Sequence, residues 1–324
     1  MQIEILWDIL EKKGAITMYK YLILTVFAGI FGSCNNNDNS DDVLIPSNSS
    51  NVIGAKYSES KNNFSNTYSA FIESLNANDA ISIVVEVDHT ANASSVGSVL
   101  SPTKIVFFGN PALGTPLMQK NQLAGLDLPQ KVLFIQNSSN KVYAFYNSVQ
   151  YLESRYNLEG VATLGKISTA LENLTKSATS SEIKNATNLG VAFEEGIITK
   201  ESTQDFDTTY NSLLSSITSN ENLKVIAELD HQENAATVAL ELRPTKIIIF
   251  GNPNLGTPLM QDKQSIGLDL PQKMLVWEAE DGTVNISYNN PSFLAKKHEI
   301  QGSEDVLNQI TTALENLSDS EAGL

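Results

Sequence analysis

The chain has 324 residues, enough for two domains of ordinary size, with 37 acidic against 21 basic side chains and a formal charge of −16. Such an acid excess excludes the phosphate-neutralising chemistry of nucleic-acid binding and opposes charge-driven adhesion to an anionic bilayer. One cysteine excludes an internal disulfide, so the fold must rest on its apolar cores.

The first elements concern address rather than fold. Met1–Thr17 carries two glutamates and an aspartate where a secretory leader is basic, so translation is expected to begin at Met18. From there a lysine precedes an apolar stretch, Tyr21–Phe31, that is too short to span a bilayer, which takes about 20 residues. Phe31-Gly32-Ser33-Cys34 closes it and resembles a bacterial lipobox. That resemblance implies cleavage before Cys34, lipidation of its sulfur and a lipid-anchored place in the cell envelope, while the asparagine-rich, acidic residues after Cys34 resemble the signals that export lipoproteins to the outer membrane. Residues 1–34 are thus read as leader and signal peptide. Residues 35–50, polar and acidic, are read as a disordered tether.

The rest is one domain written twice. Residues 102–134 and 244–276 are identical at 24 of 33 positions without a gap. A self-similarity at this domain-length offset means duplication of a whole globular unit. The copies are read as residues 51–175 and 192–320, with a polar linker at 176–191. Packing of the two copies about a pseudo-twofold axis, as an intramolecular pseudo-dimer, is expected.

Each copy opens on a short strand (Val52–Tyr57; Ala192–Ile198). A helix follows, with Phe64, Tyr68, Phe71, Ile72 and Leu75 at helical spacing, matched by Phe206, Tyr210, Leu213, Leu214 and Ile217. The period then falls to two. In residues 81–89, Ile81, Ile83, Val85 and Val87 share a face with His89 while Asp88 lies opposite; residues 223–231 repeat this with Asp230 and His231. Lys104–Phe108 and Lys246–Phe250 are apolar on both faces, as central strands are. Asn110-Pro111 and Gly-Thr-Pro at 114–116 both offer helix starts, repeated at Asn252-Pro253 and 256–258. Two strands then form a hairpin ending at Tyr146, or at Tyr288 in the second copy. A helix bearing Leu164, Ile167, Leu171 and Leu174 closes the first copy, mirrored by Leu307, Ile310, Leu314 and Leu317. The order is β-α-β4-α with a short helix among the strands: an α+β fold, antiparallel-rich, with helices on one face.

The run PTKIVFFGNPxLGTPLMQ…LDLPQK, with Asp-His before it and Tyr-Asn after it, resembles the domain-of-unknown-function 302 family in both copies. The resemblance implies a TATA-binding-protein-like, helix-grip fold and brings no established activity. It also implies a basic-His pair after a Tyr-x-x-Pro segment. The second copy keeps that pair as Lys297-His298, whereas the first has Arg155-Tyr156.

Ligand-binding candidates follow from residue type and position: Asp88, His89, Asn110, Asp127 and Tyr146 in the first copy; Asp230, His231, Asn252, Asp269, Tyr288 and His298 in the second. A histidine ending a strand on its apolar face is either a buried, satisfied group or a ligand contact. No metal is expected from three histidines without a close-spaced pair. The glycine-containing segments lack the lysine of a phosphate loop and the dinucleotide fingerprint, so no cofactor is expected. No activated nucleophile is recognisable. The functional expectation is a lipid-anchored protein with two non-catalytic binding domains, for an unknown small ligand or envelope protein. The alternative is a hydrolase- or isomerase-like enzyme using His231 with Asp269 or His298 as acid and base.

Overall fold

A computed structural model describes residues 51–322 except position 187. The anticipated leader, Cys34 and tether fall outside the described residues. The first copy runs β1 (Ala55–Glu59), α1 (Phe64–Asn76), β2 (Ser82–Asp88), α2 (His89–Ser95), β3 (Thr103–Gly109) and α3 (Pro111–Lys120). A 3₁₀ segment (Gln122–Asp127), β4 (Gln130–Gln136), β5 (Val142–Asn147), α4 (Val149–Tyr156) and α5 (Leu164–Thr179) complete it. After a two-residue strand β6 (Lys184–Asn185), the second copy repeats the order. It comprises β7 (Ile197–Ser202), α6 (Phe206–Ser219), β8 (Lys224–Asp230), α7 (His231–Thr237), β9 (Thr245–Gly251) and α8 (Pro253–Asp262). A second 3₁₀ segment (Gln264–Leu268), β10 (Gln272–Glu278), β11 (Val284–Asn289), α9 (Pro291–His298) and α10 (Glu304–Ala322) follow.

All the strand pairings are antiparallel, in the orders β2-β3-β4-β5-β1-β6 and β7-β11-β10-β9-β8. The α+β class with two repeated sheets is as the periodicities indicate. Two short helices per copy were not anticipated. α2 and α7 begin where β2 and β8 end, because Asp88 and Asp230 turn their carboxylates onto the free N–H groups of Ala91 and Glu233. α4 and α9 begin in the same way at Ser148 and Asn290. Of the two possible starts for α3 and α8, the earlier is used: Asn110 and Asn252 cap, and Pro116 and Pro258 lie inside the helix. The segment read as a linker is partly regular, since α5 extends to Thr179 and Lys184–Asn185 pairs with β1.

The central strand is buried on both faces, as its unbroken apolar run requires. Val106 and Phe108 meet Phe71, Phe134 and Leu171 beneath the helices. The edge-to-face ring pair Phe71–Phe134, with centroids 5.1 Å apart, adds about 1 kcal/mol to the burial of its area. Ile105 and Phe107 point the other way, where they join Leu133, Ile135 and, from the second copy, Ile249 and Leu268. Helices therefore cover one face of the first sheet and the other copy contacts the opposite face.

The contacts between copies are reciprocal. Gln122 Nε2 donates to Thr245 Oγ1 at 2.9 Å, and Gln264 Nε2 to Thr103 Oγ1 at 2.9 Å. Gln119 Nε2 donates to the Glu241 carbonyl at 2.7 Å, and Gln261 Nε2 to the Val99 carbonyl at 2.8 Å. Each 3₁₀ segment lies on the other sheet. A Cβ on Gly125 would come within 2.8 Å of Leu275, and one on Gly267 within 3.0 Å of Leu133.

Candidate functional site

Two kinds of site arise where the copies meet. The first is a buried ionic cluster. Asp127 ends the first 3₁₀ segment and is 3% exposed. Its Oδ1 accepts from Lys131 Nζ at 2.8 Å and Asn147 Nδ2 at 3.2 Å, and its Oδ2 from Arg155 Nη1 at 2.9 Å and Tyr156 Oη at 2.7 Å. In the second copy, Asp269 Oδ2 meets Lys297 Nζ at 2.8 Å and His298 Nε2 at 2.7 Å. Its Oδ1 has Lys131 at 3.5 Å, an ion pair outside hydrogen-bond geometry. The halves are stitched by Arg155 Nη2 donating to Asn289 Oδ1 at 2.7 Å and Lys297 Nζ to Asn147 Oδ1 at 2.8 Å.

Electrostatics settle the protonation states. Burial raises both carboxyl groups, but Lys131 and Arg155 at Asp127, and Lys297 and Lys131 with the His298 hydrogen bond at Asp269, outweigh it and hold both below the usual carboxylate range. Burial lowers His298 despite Asp269, so the ring is neutral at neutral pH. The proton then sits on Nε2, facing the carboxylate, and Nδ1 accepts from Ser265 Oγ at 3.2 Å. Burial and the neighbouring Lys131 depress Lys273 well below the ordinary lysine range. Such a network is costly to form and costlier to break. Asp269 and His298 are buried; Asp269 Oδ2 and both ring nitrogens of His298 are already engaged, and Asp269 Oδ1 is left with Lys131 alone at 3.5 Å.

The first copy keeps the same architecture with different chemistry. Arg155 replaces Lys297, and the Tyr156 hydroxyl takes the place of the His298 ring N–H on the carboxylate. The Arg-Tyr pair is thus a working counterpart of Lys-His.

The second site is a cavity in each copy completed by a histidine of the other. In the first copy a cavity of about 630 Å³ is lined by Asn110, Met118, Gln130, Ile167 and Leu171 together with His231 and Asn234 from the second copy. Its mirror, about 80 Å³, is lined by Asn252, Met260, Gln272 and Ile310 with His89 and Asn92 from the first copy. His89 and His231 are 4% and 3% exposed, and Nε2 of each has no hydrogen-bond partner. Burial pushes both rings down to about 4, so both are neutral at neutral pH. Each was expected under its own sheet. Because the strand stops at the preceding aspartate, the ring instead starts a short helix and borders the opposite copy's cavity.

The remaining candidates divide between structural roles and the cavities. Asp88 and Asp230 cap helices and pair with Lys104 at 3.0 Å and Lys246 at 3.3 Å. Asn110 and Asn252 cap helices at the cavity walls. Tyr146 and Tyr288 are buried in the helix-covered core. The grouping of His231 with Asp269 and His298 does not form: the last two meet in the cluster, and His231 lines the cavity. Sequence reasoning missed Lys131, Lys273, Asn147 and Asn289. A signal was available, because Lys131 occupies an inward position in phase with Leu133 and Ile135, where a lysine has to find a buried partner. Among the described residues, no group of three or more His, Cys, Asp or Glu is placed to hold a metal ion.

Comparison with known proteins identifies the fold's kinship. The family model described as domain of unknown function DUF302 matches residues 56–176 and 198–317, and the chain belongs to that family, with two tandem domains. Proteins named fluoride-specific ion channel FluC 1 from Brucella suis and from Brucella abortus are each 41% identical over 113 residues, 35% of this chain. The match spans 44% and 42% of those relatives, less than half their length. A solved structure of an uncharacterized conserved DUF302 protein from Bacillus stearothermophilus aligns at 20% identity and a TM-score of 0.36, covering 39% of this chain and 97% of that one.

Proposed function

We propose that this protein is a lipid-anchored cell-envelope protein whose paired domains form a non-catalytic binding module for a small ligand. One observation carries the reading: a cavity of about 630 Å³ whose wall is assembled from both copies, with the buried His231 at its edge and no acid-base partner bonded to the ring's Nε2. Concave, mainly apolar sites of this size with a few convergent polar groups are the usual form of small-molecule sites. The enzyme alternative requires His231 beside Asp269 or His298, and Asp269 is committed to Lys297 and His298.

The anchored location rests on the Cys34 signal. Channel activity is not part of the proposal. Among the described residues no helix is long and apolar enough to cross a membrane.

Native mass spectrometry of the protein purified from its own host tests the binding reading. A retained small molecule, lost on Ala170→Phe at the cavity wall, is expected; an empty protein at every preparation overturns it. Cys34→Ser should release the protein from the membrane fraction, and persistence there without lipid labelling refutes the anchor.

A further inference from the structure

The binding reading leaves open what the cavity accepts, and its walls narrow the choice. Ile81, Leu113, Met118, Ile167, Leu171 and Leu174 make most of the lining apolar. Glu228 is the one charged residue along it, and neither lysine nor arginine contributes. Glu228 already accepts from Tyr210 Oη at 2.6 Å. Two lining side chains hold buried nitrogens without partners, His231 Nε2 and Gln130 Nε2. An unsatisfied buried polar group costs about 1–3 kcal/mol; both nitrogens are covered here, and a ligand oxygen would recover that cost once either side chain turns toward the cavity. A carboxylate or phosphate head would enter without a cation to receive it, beside Glu228, at a large desolvation cost.

We propose that the first copy's cavity binds an uncharged lipophile carrying one carbonyl or hydroxyl oxygen, with its apolar body against Ile167 and Leu171 and its oxygen toward His231 and Gln130. The inference rests on the binding reading above and adds the ligand's class. Recognition of the oxygen crosses between copies: the second copy supplies the histidine, the first the rest of the wall. With a mirror cavity of only about 80 Å³, one ligand per chain is expected.

The test is calorimetric titration of the full chain, carrying Cys34→Ala so that no detergent is needed, with 1-decanol, 2-undecanone and decanoate as probes. The alcohol and the ketone should bind one per chain, with decanoate weaker by about tenfold or more. His231→Leu should weaken the neutral probes by about tenfold, and Ala170→Phe should abolish them, with urea midpoints showing that both variants fold. Decanoate binding as tightly as decanol overturns the proposal, as does indifference of the neutral probes to both variants. Failure of all three probes, with a retained ligand in the native protein, overturns the ligand class and spares the binding reading. Failure of both removes both.

Discussion

Asp127 and Asp269, equivalent residues of the two copies, are joined through a single amine. Lys131 Nζ lies 2.8 Å from the first carboxylate and 3.5 Å from the second. The partner of Lys131 by repeat, Lys273, has no matching ion pair in the cluster and is driven toward its neutral form by burial and by Lys131. The duplicated interface is therefore uneven at its centre, with one charged and one depressed lysine on two equivalent strands.

Removing that amine should be severe. Lys131→Met keeps the stem's volume but leaves Asp127 and Asp269 short of a cation. A loss of about 3–5 kcal/mol is expected, as when one partner of a buried ion pair is deleted. Urea unfolding checks it, and a change below about 1 kcal/mol would show that the cluster does not depend on Lys131.

The Tyr156–His298 equivalence gives a swap experiment. Tyr156→Phe removes a hydrogen bond to an ionised carboxylate and should cost about 1.5–3 kcal/mol. Tyr156→His, combined with Arg155→Lys, recreates the second copy's pair and should recover at least half of that loss, read from the same unfolding curves. A swap as damaging as Tyr156→Phe would mean that the two solutions are not interchangeable.

Acid should destabilise the protein in two windows. His89 and His231 have folded pKa values lowered to about 4, so between about 6.5 and 4 the unfolded chain binds more protons than the folded one. Stability is present above 6.5 and falls as pH drops through that window, by about 3 kcal/mol for each ring. Asp127 and Asp269, whose folded values are depressed, add a further loss below about 4. Thermal midpoints of His89→Asn/His231→Asn should be flatter from pH 6.5 to 4 and still fall below it. An unchanged slope would place the acid response elsewhere.

Two glycines should resist substitution. Gly54 and Gly196 have φ of +78° and +71°, and a Cβ there would lie 2.3 Å from Tyr151 and 2.0 Å from Phe293. Left-handed backbone costs about 1–2 kcal/mol for a side-chain-bearing residue, and overpacking about 1–3 more. Gly54→Ala and Gly196→Ala should each lower the urea midpoint accordingly. Gly160→Ala, with a φ of +83° but nothing within 4 Å of its Cβ, isolates the backbone contribution.

The repeat, the strands and the long helices were legible because periodicity encodes them locally. α2 and α7 were hidden because Asp88 and Asp230 fit the strand's alternation and also cap a helix. Burial of His298 was equally hidden, since a Lys-Lys-His run at a helix end suits an exposed terminus as well as the basic-His pair of the family. Only Asp269, 29 residues earlier, and Ser265 explain why the ring is inside. The cavity histidines depend on contacts between copies, which no single-copy pattern contains.

The exchange of histidines has an evolutionary side. In an assembly of two identical chains, any change to a cavity wall would appear twice and alter both cavities together. Joined in one gene, each wall has its own codons, and the cavities of about 630 and 80 Å³ have diverged in size while keeping the same histidine at the same place. Because each cavity borrows its ring, neither copy can specialise alone: a substitution in α7 of the second domain retunes the first domain's cavity, and selection on either acts on both.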